Sequence, residues 1–555
     1  MSALPAVIWR LTPRWRLLLA LLLLLPLLLR LGAAPLFDVD EGAFSEATRE
    51  MFAHGDFGFT TLNGEPRFDK PILIYWLQAL SVSMFGLHEW ALRLPSVLAA
   101  WGWALAVVQF ARPRLGEGVA WLAGVFTVTS VGVLAIGRAA TADGLLNLLL
   151  ALATLDAWRY LESVAAGVPR RAPLMRLYAW VGLGLLTKGP IAVLVPGAVS
   201  LLYCLSTRRF ADWRRAVLDW RGWLLTLAIA LPWYAYALQR HGQAFIDGFF
   251  VKHNLARYGG TLEGHGGSVG YYFVLLPLLL LPWSGLVALV IARMRTLWGE
   301  PLARYSLLWV GFVLVFFSFS GTKLPHYVLY GATPCFLLAA QQAVQLDRAP
   351  RWARVVALGG VLLLLALAAG LPSIMARLAS TTSDPLYRTL LDGATSPSGG
   401  ALRVAAVLAA VLFIAAWWVR RAMPQTPAVL ALGCVMAALV VSGTLVPWLG
   451  QLLQAPVRQA GWAAREALKL PSAIPGRAAP ALPAPGLPPI VQWGVRMPSF
   501  ALYARAETPQ WPGEQPLPAG VLALARADKL PAAHPYEILY AQRGYVLLRG
   551  VGAGR

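Results

Sequence analysis

Apolar residues run along most of this chain in blocks of about 18 or more, broken by short charged loops, and such blocks predict membrane-spanning helices. Thirteen of them can be drawn, at 17–35, 91–111, 117–137, 142–160, 174–187, 190–206, 221–239, 269–289, 303–320, 325–344, 352–371, 401–419 and 427–449. The first follows Arg10, Arg14 and Arg16, but its apolar core is long and no small-x-small cleavage site follows it. It reads as an uncleaved first helix rather than a signal peptide, with the N-terminus in the cytoplasm. Every second gap then carries arginine: Arg112 and Arg114; Arg159, Arg170, Arg171 and Arg176; Arg208, Arg209, Arg214 and Arg215; Arg293, Arg295 and Arg304; Arg348, Arg351 and Arg354; Arg420 and Arg421. That is the positive-inside pattern, and an odd number of spans puts the C-terminus outside.

Two stretches break the rhythm. Residues 36–90 form an outer loop too long to be a plain connection. Within it, Phe44, Ala47 and Met51 stand opposite Glu46, Arg49 and Glu50, which predicts an amphipathic helix lying in the membrane interface. Residues 71–85 are almost wholly apolar, yet as a helix they reach only about 22 Å, short of a core about 30 Å thick. Beyond 449 the composition changes. Residues 450–489 read as a linker, with seven prolines between 471 and 489, and strand-like runs at 490–504, 520–526 and 536–548 predict a small α/β periplasmic domain over 490–555. The expected architecture is a mainly α, polytopic membrane domain over 1–449 with this small domain on its outer face.

Composition agrees: 58% of residues are hydrophobic and 13% charged. The net charge of +21 is explained by arginine at the cytoplasmic face and needs no nucleic acid. Cys204, Cys335 and Cys434 all lie inside apolar blocks, far apart, and indicate neither disulfides nor a thiolate metal site. Lysine is informative. There are only six, and Lys70, Lys188, Lys252, Lys323, Lys469 and Lys529 all fall on the outer side of the predicted topology. Nine of the 26 acidic residues crowd the 36–90 loop. A face that gathers lysines and acids suits a reaction on an anionic group at the membrane surface.

The candidate residues lie in six outer segments. Asp40-Glu41 stands just past the first span, where partial desolvation would raise a carboxylate's pKa and favour base function. Arg67-Phe68-Asp69-Lys70-Pro71 precedes a helix, and a lysine at a helix N-terminus is an anion site. Asp143 ends an Arg138-x4-Asp turn, Lys188 sits in Thr-Lys-Gly-Pro, and Lys323-Leu-Pro-His326-Tyr327 opens a span. The 240–268 loop carries Lys252, His253, Asn254, Arg257, Tyr258, Glu263 and His265. Each has a plainer reading as well: a helix cap for Asp143, solvated acids in the loop, lysines snorkelling to the interface.

The order of these motifs resembles a family. Asp-Glu-x4-Glu-x2-Arg-Glu-Met over 40–51, Phe-Asp-Lys-Pro at 68–71 and Ala-Leu-Arg-Leu-Pro-Ser at 91–96 are similar to the bacterial aminoarabinose transferase and protein O-mannosyltransferase group. So are the later Arg-x4-Asp, Thr-Lys-Gly-Pro, His-Asn-x2-Arg, Tyr-Tyr-x4-Pro and Lys-Leu-Pro-His-Tyr elements. These are integral-membrane glycosyltransferases of the GT-C fold, and thirteen spans with an outer C-terminal domain look most like the aminoarabinose transferases. The resemblance implies an inverting transfer, at the periplasmic face of the bacterial inner membrane, from a polyprenyl-phosphate-linked sugar to a lipid A-like lipid, a glycan or a protein. It implies no nucleotide cofactor and a monomer. Asp40, Glu41 and Asp143 become the catalytic candidates, and Lys70, Lys188, Arg257, His326 and Tyr327 the donor-phosphate ligands. Asp69, His253 and His265 become candidate ligands of a divalent metal such as zinc, since carboxylate and imidazole both suit it. The chain also departs from the pattern: Ala43-Phe44 follow the acidic pair where aminoarabinose transferases commonly have Arg-Tyr, and the acid before Lys-Pro is Asp69 where Glu is frequent.

The rival class is a polytopic transporter or lipid flippase. Its ionisable residues would sit near the bilayer midplane, on broken helices. Here the charges gather in outer loops instead, which favours an enzyme.

Overall fold

The computed structural model describes residues 12–256, 266–419, 425–468, 490–512, 517–518, 520–530 and 536–551. It is a helical bundle carrying a small mixed sheet at one end. Among the described residues, five helices are long and apolar enough to cross a membrane: Glu89–Leu115, Pro301–Ser318, Arg351–Thr381, Pro397–Val419 and Thr426–Leu453. A sixth span results if Glu117–Thr129 and Val131–Gly137, bent by 62°, count as one. On Pro397–Val419, Val404, Val407, Leu408, Val411 and Leu412 are each more than half exposed, as residues facing lipid rather than water would be. Packing between helices uses small residues where they cross. At Gly137, for example, an added Cβ would lie 2.6 Å from that of Ala100.

The other predicted spans are also helical: Asp143–Ala165, Arg171–Lys188 and Trp220–His241 are continuous helices of 23, 18 and 22 residues, and the rest are shorter or broken. The first is helical only over Pro13–Leu22 and Leu25–Leu28. Pro26 lacks an N–H and its ring clashes with the carbonyl four residues back, so the first helix stops at Leu22. Helical bonding ends again at Leu28, the backbone carbonyls at and after that end need donors inside an apolar bundle, and two buried arginines supply them. Arg138 donates to Pro26, Leu27 and Leu29, and Arg93 donates to Leu31, Ala34 and Pro35. The span expected at 269–289 is likewise split, into Tyr271–Leu279 and Gly285–Ala292. The one at 325–344 opens with a tight 3₁₀ turn, Pro325–Gly331, before the helix Ala332–Ala343.

The 36–90 loop folds into the helix Asp40–His54, a short hairpin pairing Thr61–Leu62 with Glu65–Pro66, and the 13-residue helix Leu73–Phe85, too short to span. The amphipathic pattern of Asp40–His54 does not leave its polar face open to solvent. Phe44, Ala47 and Met51 do pack into an aromatic core with Phe59, Tyr75 and Trp233, but Glu46 and Glu50 on the other face are fully buried too. Glu46 holds Arg49 through two bonds of 2.7 and 2.8 Å, and Glu50 accepts from the Asn63 and Gly64 amides of the hairpin. The C-terminal domain covers this face.

That domain has strand order Gln510–Trp511, Ile490–Trp493, Leu522–Arg526, Tyr545–Gly550, Tyr536–Gln542. The first three strands are parallel and the last two antiparallel. An α/β domain was expected, but its details differ. The run 490–504 is a strand followed by the helix Pro498–Ala504, and the run 536–548 is a hairpin. Part of the stretch expected as linker is helical. Ala455–Ala467 is a helix whose Val457, Ala460 and Ala464 join the domain core, together with Leu386 and Leu390 from the helix Pro385–Leu391. The proline-rich stretch 471–489 lies outside the described residues.

Candidate active site

The acidic pair at 40–41 divides into two different environments. Asp40 is the exposed first residue of its helix, whereas Glu41 is buried. Glu41 accepts four hydrogen bonds: from Arg93 Nε at 2.9 Å and the Ala140 amide at 2.7 Å on Oε1, and from Arg93 Nη2 at 2.8 Å and the Phe37 amide at 2.9 Å on Oε2. Four donors fill the acceptor capacity of one carboxylate. Glu41 therefore fixes the backbone beside Asp40 and has no lone pair left for a substrate proton, which corrects the sequence reading of it as catalytic.

Asp69 meets two partners, His253 Nε2 at 2.7 Å and Arg67 Nη2 at 3.2 Å. Burial pushes its carboxyl up, but the His253 bond and the charges of Arg67 and Lys70 outweigh this and hold it well below the ordinary carboxylate range. Lys70 folds back so that its Nζ donates to the Asp69 carbonyl at 2.9 Å. Arg67 also lies over the Phe44 ring, 5.2 Å from the centroid, and Phe44 in turn stacks on Tyr75 at 5.3 Å. Burial pushes the Tyr75 hydroxyl up to about 12, against the pull of Arg67. Arg67 is not among the predicted site residues, although a guanidinium beside Asp-Lys is a readable signal of an anion site.

The second half of the site comes from three other elements. Asp143 opens the helix Asp143–Ala165, Lys188 closes the helix Arg171–Lys188, and His326 and Tyr327 ride on the 3₁₀ turn. Lys188 Nζ donates to Asp143 Oδ1 at 2.5 Å, and His326 Nε2 lies 3.4 Å from both atoms. The Lys188 ammonium also faces the rings of Tyr327 and Tyr330, at 5.2 and 5.7 Å. Asp143 is thus the partner of Lys188 rather than a free base, and Tyr327 meets Lys188 with its ring.

The two halves form one electrostatic unit. The charge of Asp40 acts on Arg67, Tyr75 and His326, and that of Lys70 on Asp143 and His326. Three buried polar atoms, Arg67 Nε, Tyr75 Oη and His253 Nδ1, have no hydrogen-bond partner of strict geometry among the described residues. A buried polar atom left unpaired costs about 1–3 kcal/mol, and such atoms gathered around Asp40 and Asp69 suit a polar ligand. Arg257 and His265 lie outside the described residues. Away from Asp69 and His253, the one group among the described residues that could hold a metal ion is Glu50, His54 and Glu507. Asp156, the other acid on the Asp143 helix, is held by Arg159, Arg176 and the Trp180 indole, so it serves the bundle and not a transport path.

A polytopic bundle with a lysine–carboxylate site at the end capped by its sheet domain defines the GT-C class of membrane protein, and the comparisons agree. Residues 69–236 match the family model described as dolichyl-phosphate-mannose-protein mannosyltransferase. Among curated relatives, an undecaprenyl phosphate-alpha-4-amino-4-deoxy-L-arabinose arabinosyl transferase of Shewanella sediminis is 30% identical over 320 residues, covering 57% of each chain. A protein of the same name from Enterobacter sp. is 31% identical over 345 residues, covering 60% of each. The chain thus spans less than two thirds of the length of these relatives. In fold, the crystal structure of ArnT from Cupriavidus metallidurans bound to undecaprenyl phosphate superposes with a TM-score of 0.77 at 23% identity, covering 98% of this chain and 99% of that one. The resemblance to the aminoarabinose transferase and protein O-mannosyltransferase group therefore holds, and the fold is GT-C.

Proposed function

We propose that this protein is a glycosyltransferase of the bacterial inner membrane that moves a sugar from an undecaprenyl-phosphate carrier to a lipid A-like acceptor, with inversion. The single observation that carries this reading is the convergence of Asp40, Arg67, Lys70, Asp143, Lys188 and His326, from distant segments, on one end of a GT-C bundle. The names of the relatives point to 4-amino-4-deoxy-L-arabinose as the sugar. The site faces the periplasm and the N-terminus the cytoplasm, following the arginine pattern, and the protein acts as a monomer.

In the reaction, the acceptor oxygen attacks the anomeric carbon while Asp40 takes its proton. The bond from that carbon to the phosphate oxygen breaks, and the electron pair leaves with undecaprenyl phosphate. Phosphate is already a good leaving group, so no second carboxylate acid is needed, unlike glycoside hydrolysis. What the departing phosphate needs is fixed positive charge, and Lys70, Arg67 and Lys188 offer it, with Asp143 and the two tyrosine rings orienting Lys188. Arg257 belongs to this set by its motif. A zinc ion held by Asp69 and His253, with His265 by motif, would add charge at the same place. A His253 Nδ1 without a partner among the described residues, beside a carboxylate–imidazole contact, fits such a role. Elemental analysis of the purified protein is expected to find zinc in the wild type and to lose it in Asp69→Ala. Protein that is metal-free yet fully active would remove the ion from the proposal.

The function is tested by reconstituting the purified protein in liposomes and assaying transfer from the undecaprenyl-phosphate-linked sugar to lipid A. No product with any acceptor would refute it. In the same preparation, Lys70→Ala is expected to weaken binding of undecaprenyl phosphate roughly 10- to 100-fold, since a charge-assisted contact to phosphate is worth about 1.5–3 kcal/mol. Substitution of Arg208 or Arg348, in the predicted cytoplasmic loops, should leave binding unchanged.

A further inference from the structure

Asp40 stands between two fixed points, and they belong to different parts of the molecule. On its C-terminal side, Glu41 is locked to Arg93 and to the Ala140 amide within the bundle. On its N-terminal side, Asp38 reaches the C-terminal domain. Ser499 gives both of its donors to that carboxylate, the backbone N–H to Oδ1 at 2.9 Å and the hydroxyl to Oδ2. Ser499 is 1% exposed. The approach is close enough that a Cβ at Gly42 would collide with both the Asp38 carboxylate and the Ser499 amide nitrogen. The seam is stitched further along: Tyr503 Oη accepts from the Leu36 amide at 2.9 Å, His54 meets Glu507 at 2.9 Å, and the Thr508 amide donates to Asn63 Oδ1 at 2.9 Å.

We propose that Ser499 is a positioning residue for Asp40, acting through Asp38, so that the C-terminal domain completes the active site without contributing a group to the chemistry. The proposal rests on the reading of Asp40 as the group that activates the acceptor. The physical basis is the short lever: Asp38 and Asp40 are separated by one residue, at most about 7 Å of extended chain. Any shift of the Asp38 carboxylate is therefore passed to Asp40 with little damping. Burial pushes the Asp38 carboxyl up and Glu41 adds to this, while the two Ser499 bonds pull it down, the balance leaving it at about 7. The ionised, anchored form of Asp38 thus depends on Ser499. A carboxylate displaced by about 1 Å from a reacting atom can lose about 100-fold in rate, while the phosphate ligands Lys70, Lys188 and Arg67 lie on other elements and would not move.

The test uses full-length protein in liposomes. Wild type, Asp40→Asn, Ser499→Ala, Ser499→Thr and Gly42→Ala are compared for kcat of transfer to lipid A and for Kd of undecaprenyl phosphate. Ser499→Ala and Gly42→Ala are expected to lower kcat about 10- to 100-fold while Kd stays within about twofold. Ser499→Thr keeps both donors and should recover most of the kcat. A Ser499→Ala protein with wild-type kcat, or with its loss in Kd rather than kcat, overturns the assignment whenever Asp40→Asn is inactive. Should Asp40→Asn itself retain transfer, the reading of the active site fails instead, and the two failures are distinct.

Discussion

Replacing Asp40 by asparagine is expected to lower kcat for sugar transfer by about two to four orders of magnitude, the usual contribution of a positioned general base. The protein should remain folded and inserted. Asp40 is exposed and opens its helix, and no described hydrogen bond engages its side chain. Asparagine has nearly the same shape, so the structural cost is confined to the favourable placement of an anion at a helix N-terminus, about 0.3–1 kcal/mol. Donor binding should be unimpaired, because removing a negative charge near the phosphate site lessens repulsion. The measurement is transfer by monodisperse Asp40→Asn protein beside its affinity for undecaprenyl phosphate. A kcat within tenfold of wild type would end the assignment of Asp40 as the base and leave electrostatic stabilisation of the phosphate as the main catalytic effect.

Much of this arrangement was legible in the sequence because membrane helices announce themselves through long apolar runs, and because loop residues on one face must lie near one another. Of the six lysines, Lys70 and Lys188 belong to one electrostatic unit with Asp143 and His326. What the sequence could not separate were residues of like chemistry. Asp40 and Glu41 are adjacent carboxylates, and their difference is made by Arg93, 52 positions further on, whose side chain also meets carbonyls of the irregular chain after Leu28. Asp143 gave no sign that it would pair with Lys188. The helix Asp40–His54 looked interfacial because its polar face resembles any solvated one, yet Glu46 and Arg49 satisfy each other and the C-terminal domain excludes water from them. The docking of that domain through Ser499 has no local signal, since a serine after a proline at the start of a helix is unremarkable. The helix Ala455–Ala467 was lost for a different reason. Its apolar Val457, Ala460 and Ala464 stripe is made of small residues, and the neighbouring run of prolines dominated the composition.

Arg93→Ala is expected to have the largest effect on stability, because one side chain serves two duties. Its guanidinium is 3% exposed and makes five hydrogen bonds, two to Glu41 and one each to the carbonyls of Leu31, Ala34 and Pro35. Removing it leaves a buried carboxylate without its counter-ion, which typically costs about 3–5 kcal/mol, and three carbonyls without a donor. Net stabilities of about 5–15 kcal/mol are usual for folded domains, so the loss is a large fraction of the whole, and low yield with a depressed Tm in detergent should follow. Arg93→Lys should recover only part of it, since an ammonium cannot reproduce the planar fork that holds both Glu41 oxygens and the carbonyls at once. Glu41→Gln should fall between the wild type and Arg93→Ala. Its uncharged amide keeps one acceptor oxygen for the arginine and Ala140, but the NH₂ group that replaces Oε2 meets the Phe37 amide donor. The contrast with Asp40→Asn is the informative part: there activity falls and Tm holds, whereas here both fall together. An Arg93→Ala protein that melts at the wild-type temperature would show that the acidic pair is not divided into an anchor and a base, and Glu41 would again be open to a catalytic role.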